Sequence, residues 1–584
     1  MSRLREDLGP LRRRSAVLFA AVLLTLSALS LRLVQLQLVH CDYWRMMSEN
    51  NRVRRLPVPS SRGRIYDRRG RVLADNRATW DLLVFPDEAR DLNRTALFLA
   101  RAGLADAATM LERLTERGSV PLAPVVAGEG LSWSQVARVR THQSDFPELS
   151  VMAGFRRTYP LAELTAHTVG YLRPVRQDEL DANPELSPSA LVGATGIEEQ
   201  RDRFLSGRGG ERWMIANAVG QQLGVVREQP ASPGNDLTTT LDLELQLTAA
   251  RALEDAAGAV VALNPSSGAV RVMVSAPSFD PNVFTGRLST EMWATLRDDP
   301  RHPLHNRCIQ GAYPPGSTIK PFLALEGLEQ GLITPDWSVS CPGSIVLHGH
   351  PFRCWRRHGR VSLTKSLEES CDVFYYLLGQ KLGIEGIAGG LERFAFGQRT
   401  GIGLANERPG LIGTPQWSEE VRHQPWYPGE TVSVSIGQGP VLTTTLQLAR
   451  AFAALANGGR LVTPRLVEDP TAPPPRPLHL DGAHLARVVE GLRRVVQGPR
   501  GTAWVLADLP AAGKTGTAQV ARLQEGVSLD ELPHHLRHHA WFVGWAPVDA
   551  PEIVVAVLVE HGGGGGSVAA PVAGRVLRAA LDAR

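Results

Sequence analysis

Lysine is scarce in this chain. Of the 63 lysine and arginine residues, 59 are arginine, and the four lysines are Lys320, Lys365, Lys381 and Lys514. Lysine is therefore excluded as the general source of positive surface charge. A lysine amine can lose its proton when it is desolvated or lies beside another cation, whereas an arginine guanidinium stays charged. Each retained lysine is thus a candidate for chemistry that needs a neutral amine, and its neighbours must decide between that role and drift.

The sequence also has little net charge and lacks both an internal repeat and a long basic run after its N-terminal region. Its formal net charge is only +4 over 584 residues, which excludes an extended nucleic-acid surface. The composition is 43% hydrophobic and 21% charged, an ordinary globular balance for two or three domains.

One long apolar run lies near the N-terminus. Residues 15–31 are uncharged, and the apolar character continues past Arg32 to residue 38, about the length of a membrane-spanning helix. The basic residues before it are Arg3, Arg5, Arg12, Arg13 and Arg14. By the positive-inside rule we predict a cytoplasmic tail over 1–14, a transmembrane helix over 15–38 and an extracytoplasmic remainder. A cleaved signal peptide is the alternative, and the "LVHC" that ends at Cys41 only faintly resembles a lipoprotein signal.

The remainder divides into two parts by pattern. Residues 39–236 are predicted to form an elongated, pedestal-like module with an inserted helical head at about 87–155. A second domain is predicted over 237–584, where 258–275 and 540–560 each indicate two strands joined by a turn. The predicted fold class is α+β (α/β), with helices packed against an antiparallel sheet.

The first lysine stands in "PPGSTIKPF", where Ser317 and Lys320 are three residues apart after a turn. The apolar residues that follow predict a helix, so the serine lies at a helix N-terminus and the amine lies on the same face. A base within reach turns a weak hydroxyl into a nucleophile. The same spacing recurs at Ser362 and Lys365, but that copy lacks the preceding turn and ends close to Ser370. We therefore predict Ser317 as the nucleophile.

Two further motifs follow in order, Ser370-Cys371-Asp372 and Lys514-Thr515-Gly516-Thr517. S-x-x-K, S-D-N and K-T-G in this order are the signature of penicillin-binding proteins and class A β-lactamases. The chain resembles a class B penicillin-binding protein, most closely the penicillin-binding protein 2 branch of the bacterial elongation machinery. The resemblance covers essentially the whole length, because similar text includes "RGRIYDRRGRVLA", "GATGIEEQ", "VSAPSFDPN" and "SIGQGPVLTTTLQLA".

This resemblance implies D,D-transpeptidation of peptidoglycan stem peptides. Ser317 would attack the penultimate D-Ala carbonyl with Lys320 as base, and the terminal D-Ala would leave. Ser370 would relay a proton to the leaving amine, while Lys514 would keep the site positive. Asp372 stands where the wider superfamily has asparagine, although S-x-D is familiar in this branch.

The resemblance also implies a substrate-binding role for the third motif. Thr515, Gly516 and Thr517 would line the substrate, with the two hydroxyls binding its carboxylate. The backbone N–H groups of Ser317 and Thr517 would form an oxyanion hole. Penicillins mimic the D-Ala-D-Ala end of the stem peptide and would trap the serine.

A second constellation is Cys341, Cys354, His358 and Cys371, spaced C-x12-C-x3-H-x12-C. Three thiolates and an imidazole form a closed tetrahedral zinc set, and some members of the branch that this chain resembles hold structural zinc at this place. The alternative is a Cys341–Cys354 disulfide with Cys371 buried as a small apolar residue. A second metal site in "HHLRHHAW" is disfavoured, because that segment is expected to be a polar loop between strands.

Other functions and the partners are left open by the residues. A β-lactamase or β-lactam sensor would share the serine motifs, although it needs neither an anchor nor a pedestal, and a septal penicillin-binding protein 3 is the closest alternative. A mainly scaffolding role is a third reading. The chain shows no glycosyltransferase segment before residue 237, so the resemblance implies a RodA-type polymerase that supplies lipid II-derived glycan. We expect no organic cofactor, β-lactam inhibition and a location in the bacterial cytoplasmic membrane.

Overall fold

The computed structural model describes residues 9–40, 53–115, 124–183, 190–216, 222–286, 288–469, 471–520 and 532–583. The chain forms two compact units, each built from separate stretches of sequence. The smaller contains 1–61, 78–155 and 207–233, and the larger contains 62–77, 156–206 and 234–584. The predicted linear boundary at 237 stays a prediction, since these units are defined by packing and are discontinuous. Cys41 lies outside the described residues.

The apolar run near the N-terminus is helical, as predicted. A helix spans Gly9–Val34 and continues as a π-turn over Gln35–Val39. The stretch 13–38 has a mean hydropathy of 2.3, and it is long and apolar enough to cross a membrane. Its side chains are exposed, Leu24 by 73% for example, so the protein itself does not bury this surface.

The smaller unit contains a three-stranded antiparallel sheet with Gly210–Ala216 between Val53–Val58 and Gln222–Gln229. Its helical part has its own core, in which Leu82, Leu99, Met110, Val139 and Leu149 are buried together. The helices here are Leu92–Arg101, Ala107–Thr115 and Trp133–Thr141, and the strands are Val125–Gly128 with parts of Val72–Val84 and Leu149–Thr158.

The larger unit is built on a five-stranded antiparallel sheet. Its strand order is Val270–Ala276, Gly258–Leu263, Ile553–Val559, His539–Ala546 and Ala512–Ala518. The strands predicted over 258–275 and 540–560 are therefore confirmed, and the third motif lies on the strand at one edge.

Helices cover both faces of this sheet, which explains why its inner strands Gly258–Leu263 and Ile553–Val559 are apolar throughout rather than alternating. Val260 and Ala262 pack with residues of the helices Leu243–Leu253 and Ala570–Asp582. Val261, on the opposite face, packs in a core that includes the helices Lys320–Glu329 and Thr445–Ala456. The predicted α+β class, with an antiparallel sheet flanked by helices, is confirmed.

The larger unit contains further helices and strands, among them the 22-residue helix Asp372–Arg393. The other helices are Ala166–Val169, Gln177–Ala182, Gly196–Gln200, Asp202–Leu205, Thr290–Arg297, Leu363–Glu368, Asp372–Arg393, Pro415–Trp417, Pro428–Val434 and Gly482–Gln497. The other strands are Ile65–Tyr66, Leu172–Pro174, Leu191–Gly193, Leu237–Thr238, Ser338–Cys341, Ser344–Leu347, His350–Arg353, Gly359–Ser362, Leu411–Ile412, Val441–Leu442, Arg460–Leu461 and Arg476–Pro477.

Candidate active site

Ser317 lies in the 3-10 turn Gly316–Ile319, which leads directly into the helix Lys320–Glu329. Gly316 has a φ of +55°, and a Cβ there would lie 2.6 Å from the carbonyl oxygen of Thr517 and 3.0 Å from its nitrogen. Backbone conformation and close approach thus both require glycine before the serine. The turn consequently lies against the main chain of the third motif.

Lys320 is fully buried, and its amine is held by the second motif. The Nζ atom donates to Asp372 Oδ1 at 2.6 Å, to the Ser370 carbonyl oxygen at 2.9 Å and to Ser370 Oγ at 3.3 Å. All three of these oxygen atoms belong to the second motif. Ser317 Oγ has no hydrogen-bond partner among the described residues, and the predicted contact between this serine and Lys320 is not formed in the resting arrangement.

Ser370 lies between two lysines. It has a φ of +54° where the chain turns from the helix Leu363–Glu368 to the helix Asp372–Arg393. Its Oγ accepts a hydrogen bond from Lys514 Nζ at 2.9 Å as well as the one from Lys320. Because the two amines occupy both acceptor sites of the hydroxyl, its own proton is available to a third group.

The electrostatics of the site follow from burial and from these charges. Burial lowers the pKa of Lys514 well below the usual lysine range, and the neighbouring Lys320 lowers it further. Burial raises the pKa of Asp372, although Lys320 opposes that shift. Lys514 Nζ also donates to the Thr515 carbonyl oxygen at 3.0 Å. The site therefore concentrates two amines and one carboxyl group around a single hydroxyl.

Thr515 and Thr517 lie two residues apart in the strand Ala512–Ala518, so their side chains point from the same face. Gly516 between them packs against the nucleophile turn, since a Cβ there would lie 2.8 Å from Thr318 Cγ2. Gln438 Nε2 donates to the Thr517 carbonyl oxygen at 2.9 Å, and Thr502 Oγ1 lies 2.7 Å from Thr515 Oγ1.

Gln438 and Thr502 were not predicted from the sequence. Gln438 lies in the stretch "SIGQGPV", whose similarity to the family indicated that this region is important but did not single out this side chain. Thr502 lies outside all three motifs.

The predicted metal ligands converge. Their four ligand atoms lie within 4.8 Å of one another, and His358 Nδ1 is 3.5 Å from Cys341 Sγ and 3.4 Å from Cys354 Sγ. The edges of a tetrahedral zinc site with such ligands are about 3.5 to 3.8 Å. None of the four described cysteines forms a disulfide, so the alternative Cys341–Cys354 bond is absent. The donor types, count and spacing therefore fit zinc.

Short strands and one helix N-terminus bring these ligands together. Cys341 ends the strand Ser338–Cys341, which pairs with Gly359–Ser362 directly after His358. Cys371 is the N-cap of the helix that begins at Asp372, and the Asp372 N–H donates to Cys354 Sγ at 3.2 Å. The cysteine cluster, meaning Cys341, Cys354, His358 and Cys371, is thus directly attached to the second motif.

The other candidates from the sequence have structural roles. Ser362 caps the helix Leu363–Glu368 by accepting from the Lys365 N–H at 3.4 Å. Lys365 Nζ donates to the carbonyl oxygens of His358, at 2.7 Å, and Arg360, at 3.0 Å. In the histidine-rich segment His539 begins the strand His539–Ala546. Within the part of the chain that the structure describes, these histidines form no metal-ligand group.

Two family models match the chain in succession. The model described as "Penicillin-binding Protein dimerisation domain" matches residues 57–239, and the one described as "Penicillin binding protein transpeptidase domain" matches 258–578. The second match alone covers more than half of the chain and includes all three serine-enzyme motifs.

Curated relatives and solved structures agree with these models. Peptidoglycan D,D-transpeptidase MrdA of Haemophilus influenzae is 34% identical over 98% of this chain and 92% of its own length. Penicillin-binding protein 3 of Bacillus subtilis is 26% identical over 89% and 76%, respectively.

Among solved structures, the complex of the Helicobacter pylori penicillin-binding protein PBP2 with MreC has a TM-score of 0.81 at 28% identity, covering 91% of this chain and 99% of that one. A peptidoglycan synthase complex that coordinates polymerization and crosslinking has a TM-score of 0.72 at 32% identity, with 99% of both chains covered.

Proposed function

Because this chain belongs to the class B penicillin-binding proteins, in the penicillin-binding protein 2 branch, we propose that Ser317 is the nucleophile of its elongation-type D,D-transpeptidase reaction. The protein is a peptidoglycan transpeptidase of the elongation type rather than of the septal type. The observation that carries the residue assignment is the convergence of all three motifs on Ser370 Oγ, which accepts hydrogen bonds from both Lys320 and Lys514. The substrate is the stem peptide of lipid II-derived glycan.

In the acylation step, Ser317 Oγ bonds to the penultimate D-Ala carbonyl carbon, and neutral Lys320 accepts the hydroxyl proton. Lys320 must first release one of its present acceptors, which is compatible with catalytic contacts that tighten only when substrate is bound. The backbone N–H groups of Ser317 and Thr517 stabilise the oxyanion, a role supported by the close approach of Gly316 to Thr517. As the amide C–N bond breaks, Ser370 donates its proton to the leaving D-Ala amine and receives in exchange, along their hydrogen bond, the proton that Lys320 took from Ser317.

In the second step, the amine of a neighbouring stem peptide attacks the acyl ester. The Ser317–acyl bond breaks, the proton that the attacking amine loses returns to Ser317 by way of Ser370 and Lys320, and the new amide is the crosslink. Lys514 keeps a positive charge beside Ser370 and favours the carboxylate end of the donor peptide. Thr515 and Thr517 donate hydrogen bonds to that carboxylate, and Asp372 orients the amine of Lys320.

We further propose that the cysteine cluster holds a structural zinc ion through Cys341, Cys354, His358 and Cys371. When bound, zinc crosslinks three short segments of chain and needs no redox partner. His358 Nε2 is buried without a hydrogen-bond partner among the described residues and lies 3.9 Å from Glu369 Oε2. This places a carboxylate beside the imidazole nitrogen that faces away from the cluster, as is common around zinc-bound histidine.

Substitution of one ligand tests this zinc proposal. We expect Cys354→Ala to lose the single zinc measured per chain and to acylate about tenfold more slowly or worse, because Cys371 adjoins Ser370 and Asp372. Cys308→Ala is the matched control, since Cys308 is buried elsewhere and its thiol donates to the Val274 carbonyl oxygen. Metal content measured by mass spectrometry is independent of activity. Absence of zinc from the purified wild-type protein, or an unchanged acylation rate in metal-free protein, would contradict the proposal.

We also propose the membrane topology and the partner. The helix Gly9–Val34 spans the cytoplasmic membrane with its N-terminus in the cytoplasm, which leaves the transpeptidase domain outside. A RodA-type polymerase supplies the glycan, as the similarity to a peptidoglycan synthase complex supports. The complex of the Helicobacter pylori protein supports an MreC-type partner as well. Cysteine labelling of intact cells tests the orientation, and copurification from detergent tests the polymerase.

The principal experiment is intact-mass and peptide mapping of the full chain after incubation with benzylpenicillin. We expect a long-lived adduct on Ser317, no adduct with Ser317→Ala and a normal adduct with Ser362→Ala. Rapid release of hydrolysed drug would instead indicate a β-lactamase. An adduct on any other residue, or none on folded protein, would refute the assignment of Ser317.

A further inference from the structure

Thr502 is a polar residue outside the three motifs that contacts one of them. It lies in the loop between the helix Gly482–Gln497 and the strand Ala512–Ala518, and it is partly buried. Its Oγ1 is 2.7 Å from Oγ1 of Thr515, and either hydroxyl could be the donor. This hydrogen bond joins the loop to the threonine that we assign to the substrate carboxylate.

The surrounding backbone holds Thr502 in place from three sides. Its N–H donates to the Glu368 carbonyl oxygen at 3.3 Å, and the N–H of Ala503 donates to the Val495 carbonyl oxygen at 2.9 Å. Gly566 packs so closely that a Cβ there would lie 2.2 Å from the Thr502 carbonyl oxygen and 3.8 Å from Thr515 Cγ2. These main-chain contacts therefore fix the position of Thr502, and its short side chain leaves the hydroxyl little freedom to move.

The direction of the hydrogen bond matters because a hydroxyl has one proton. If Thr515 donates to Thr502, its proton is occupied and only lone pairs face an incoming carboxylate. If Thr502 donates, Thr515 can give its own proton to the carboxylate, and the two hydrogen bonds polarise each other in the favourable sense. A bound carboxylate therefore selects the arrangement in which Thr502 is the donor.

We propose that Thr502 is a positioning residue for substrate recognition, which orients the Thr515 hydroxyl toward the substrate carboxylate by donating a hydrogen bond to it. The proposal rests on the function proposed above, because it requires that Thr515 binds that carboxylate. Through its N–H bond to the carbonyl oxygen of Glu368, the same residue also joins the third motif to the end of the helix that precedes the second.

The test compares a probe that has the carboxylate with one that lacks it. Benzylpenicillin and its methyl ester are reacted with the full-length wild-type chain, with Thr502→Val and with Thr502→Ser, and second-order acylation rates are measured. Valine keeps the shape of threonine without its hydroxyl. We expect T502V to acylate about three- to tenfold more slowly with the free acid, the effect of one neutral hydrogen bond, and within about twofold of wild type with the ester. Thr502→Ser should restore most of the rate with the acid.

The control is Thr248→Val, a partly exposed position of the helix Leu243–Leu253 whose hydroxyl donates only to the Glu244 carbonyl oxygen; it should change neither rate. Equal losses with acid and ester, or no loss with either, would overturn the role of Thr502. If T502V does not fold, as judged by its melting curve, Thr502→Ala is compared in the same way with the same criteria. Failure of the wild-type chain to acylate at Ser317 would instead refute the proposed function, so the two failures are distinguishable.

Discussion

The chain contains the same four-residue pattern twice, and the two copies have different surroundings. In Ser317-Thr318-Ile319-Lys320 the lysine is fully buried and donates to two residues of another motif, which lie 50 and 52 positions along the chain. In Ser362-Leu363-Thr364-Lys365 the serine caps its own helix, and the lysine side chain, 28% exposed, binds carbonyl oxygens within seven residues.

The difference shows that S-x-x-K specifies only that a hydroxyl and an amine begin on one helical turn. In the first copy the serine hydroxyl is unbonded among the described residues, while the lysine belongs to a network of long sequence range. In the second copy both groups satisfy nearby backbone, which is the common fate of polar side chains at a helix N-terminus. Chemistry thus depends on partners that the pattern does not contain.

The largest effect that separates the copies should come from their lysines. Lys320→Met removes the proposed base, so we expect benzylpenicillin acylation to fall by about 10²- to 10⁴-fold. Lys365→Met removes hydrogen bonds to two nearby carbonyl oxygens and a 3.9 Å ion pair with Glu369, and with zinc present we expect a rate within about threefold of wild type. Stopped-flow acylation of both variants measures the contrast. Similar losses in the two variants would show that the long-range partners of Lys320 are not what distinguishes the two copies.

A smaller effect should appear in the pH dependence, where Lys514 differs from Lys365. Burial and the charge of Lys320 lower the pKa of Lys514, although Asp372 opposes this shift, so the positive charge of Lys514 is present below that pKa and lost as pH rises through it. Acylation should therefore decline on the alkaline side, below the ordinary titration range of lysine. Lys514→Arg stays charged and should move this decline to higher pH, although its larger head group lowers the rate. The pH profile of Lys365→Arg should match wild type, and an unmoved alkaline limb in K514R would exclude Lys514 as its cause.

Much of the fold could be predicted because it is written in local patterns. The hairpin Gly258–Ala276 and the strands around 540–560 are apolar runs separated by turn residues, and the structure confirms them. The discontinuous packing of 62–77 and 156–206 with the larger unit could not be predicted from pattern, because it depends on pairing between remote segments.

The candidate site divides in the same way. Spacing pointed to Ser317 and to the four residues of the cysteine cluster, and the structure brings the ligand atoms of that cluster within 4.8 Å of one another. Spacing did not reveal that Lys320 would turn to Asp372 and Ser370, nor that Ser370 would adopt a positive φ between two helices. Thr502 and Gln438 were missed because each meets the third motif only through contacts between residues that are distant in the sequence.

The smallest effect concerns the contributions of the two serines to local stability. Here we expect Ser362 to matter more than Ser317, the reverse of their expected importance for acylation. Ser362→Ala removes a helix cap, which typically stabilises by about 1 kcal/mol, whereas Ser317 Oγ makes no hydrogen bond to a described residue. Amides of the helix Leu363–Glu368 should then exchange with solvent about fivefold faster in Ser362→Ala, while Ser317→Ala leaves exchange around residues 316–329 unchanged. Hydrogen exchange read by mass spectrometry on the full chain in detergent measures both. Faster exchange at 316–329 in S317A would mean that the nucleophile also holds its turn together, and the contrast between a catalytic copy and a capping copy would then be one of degree.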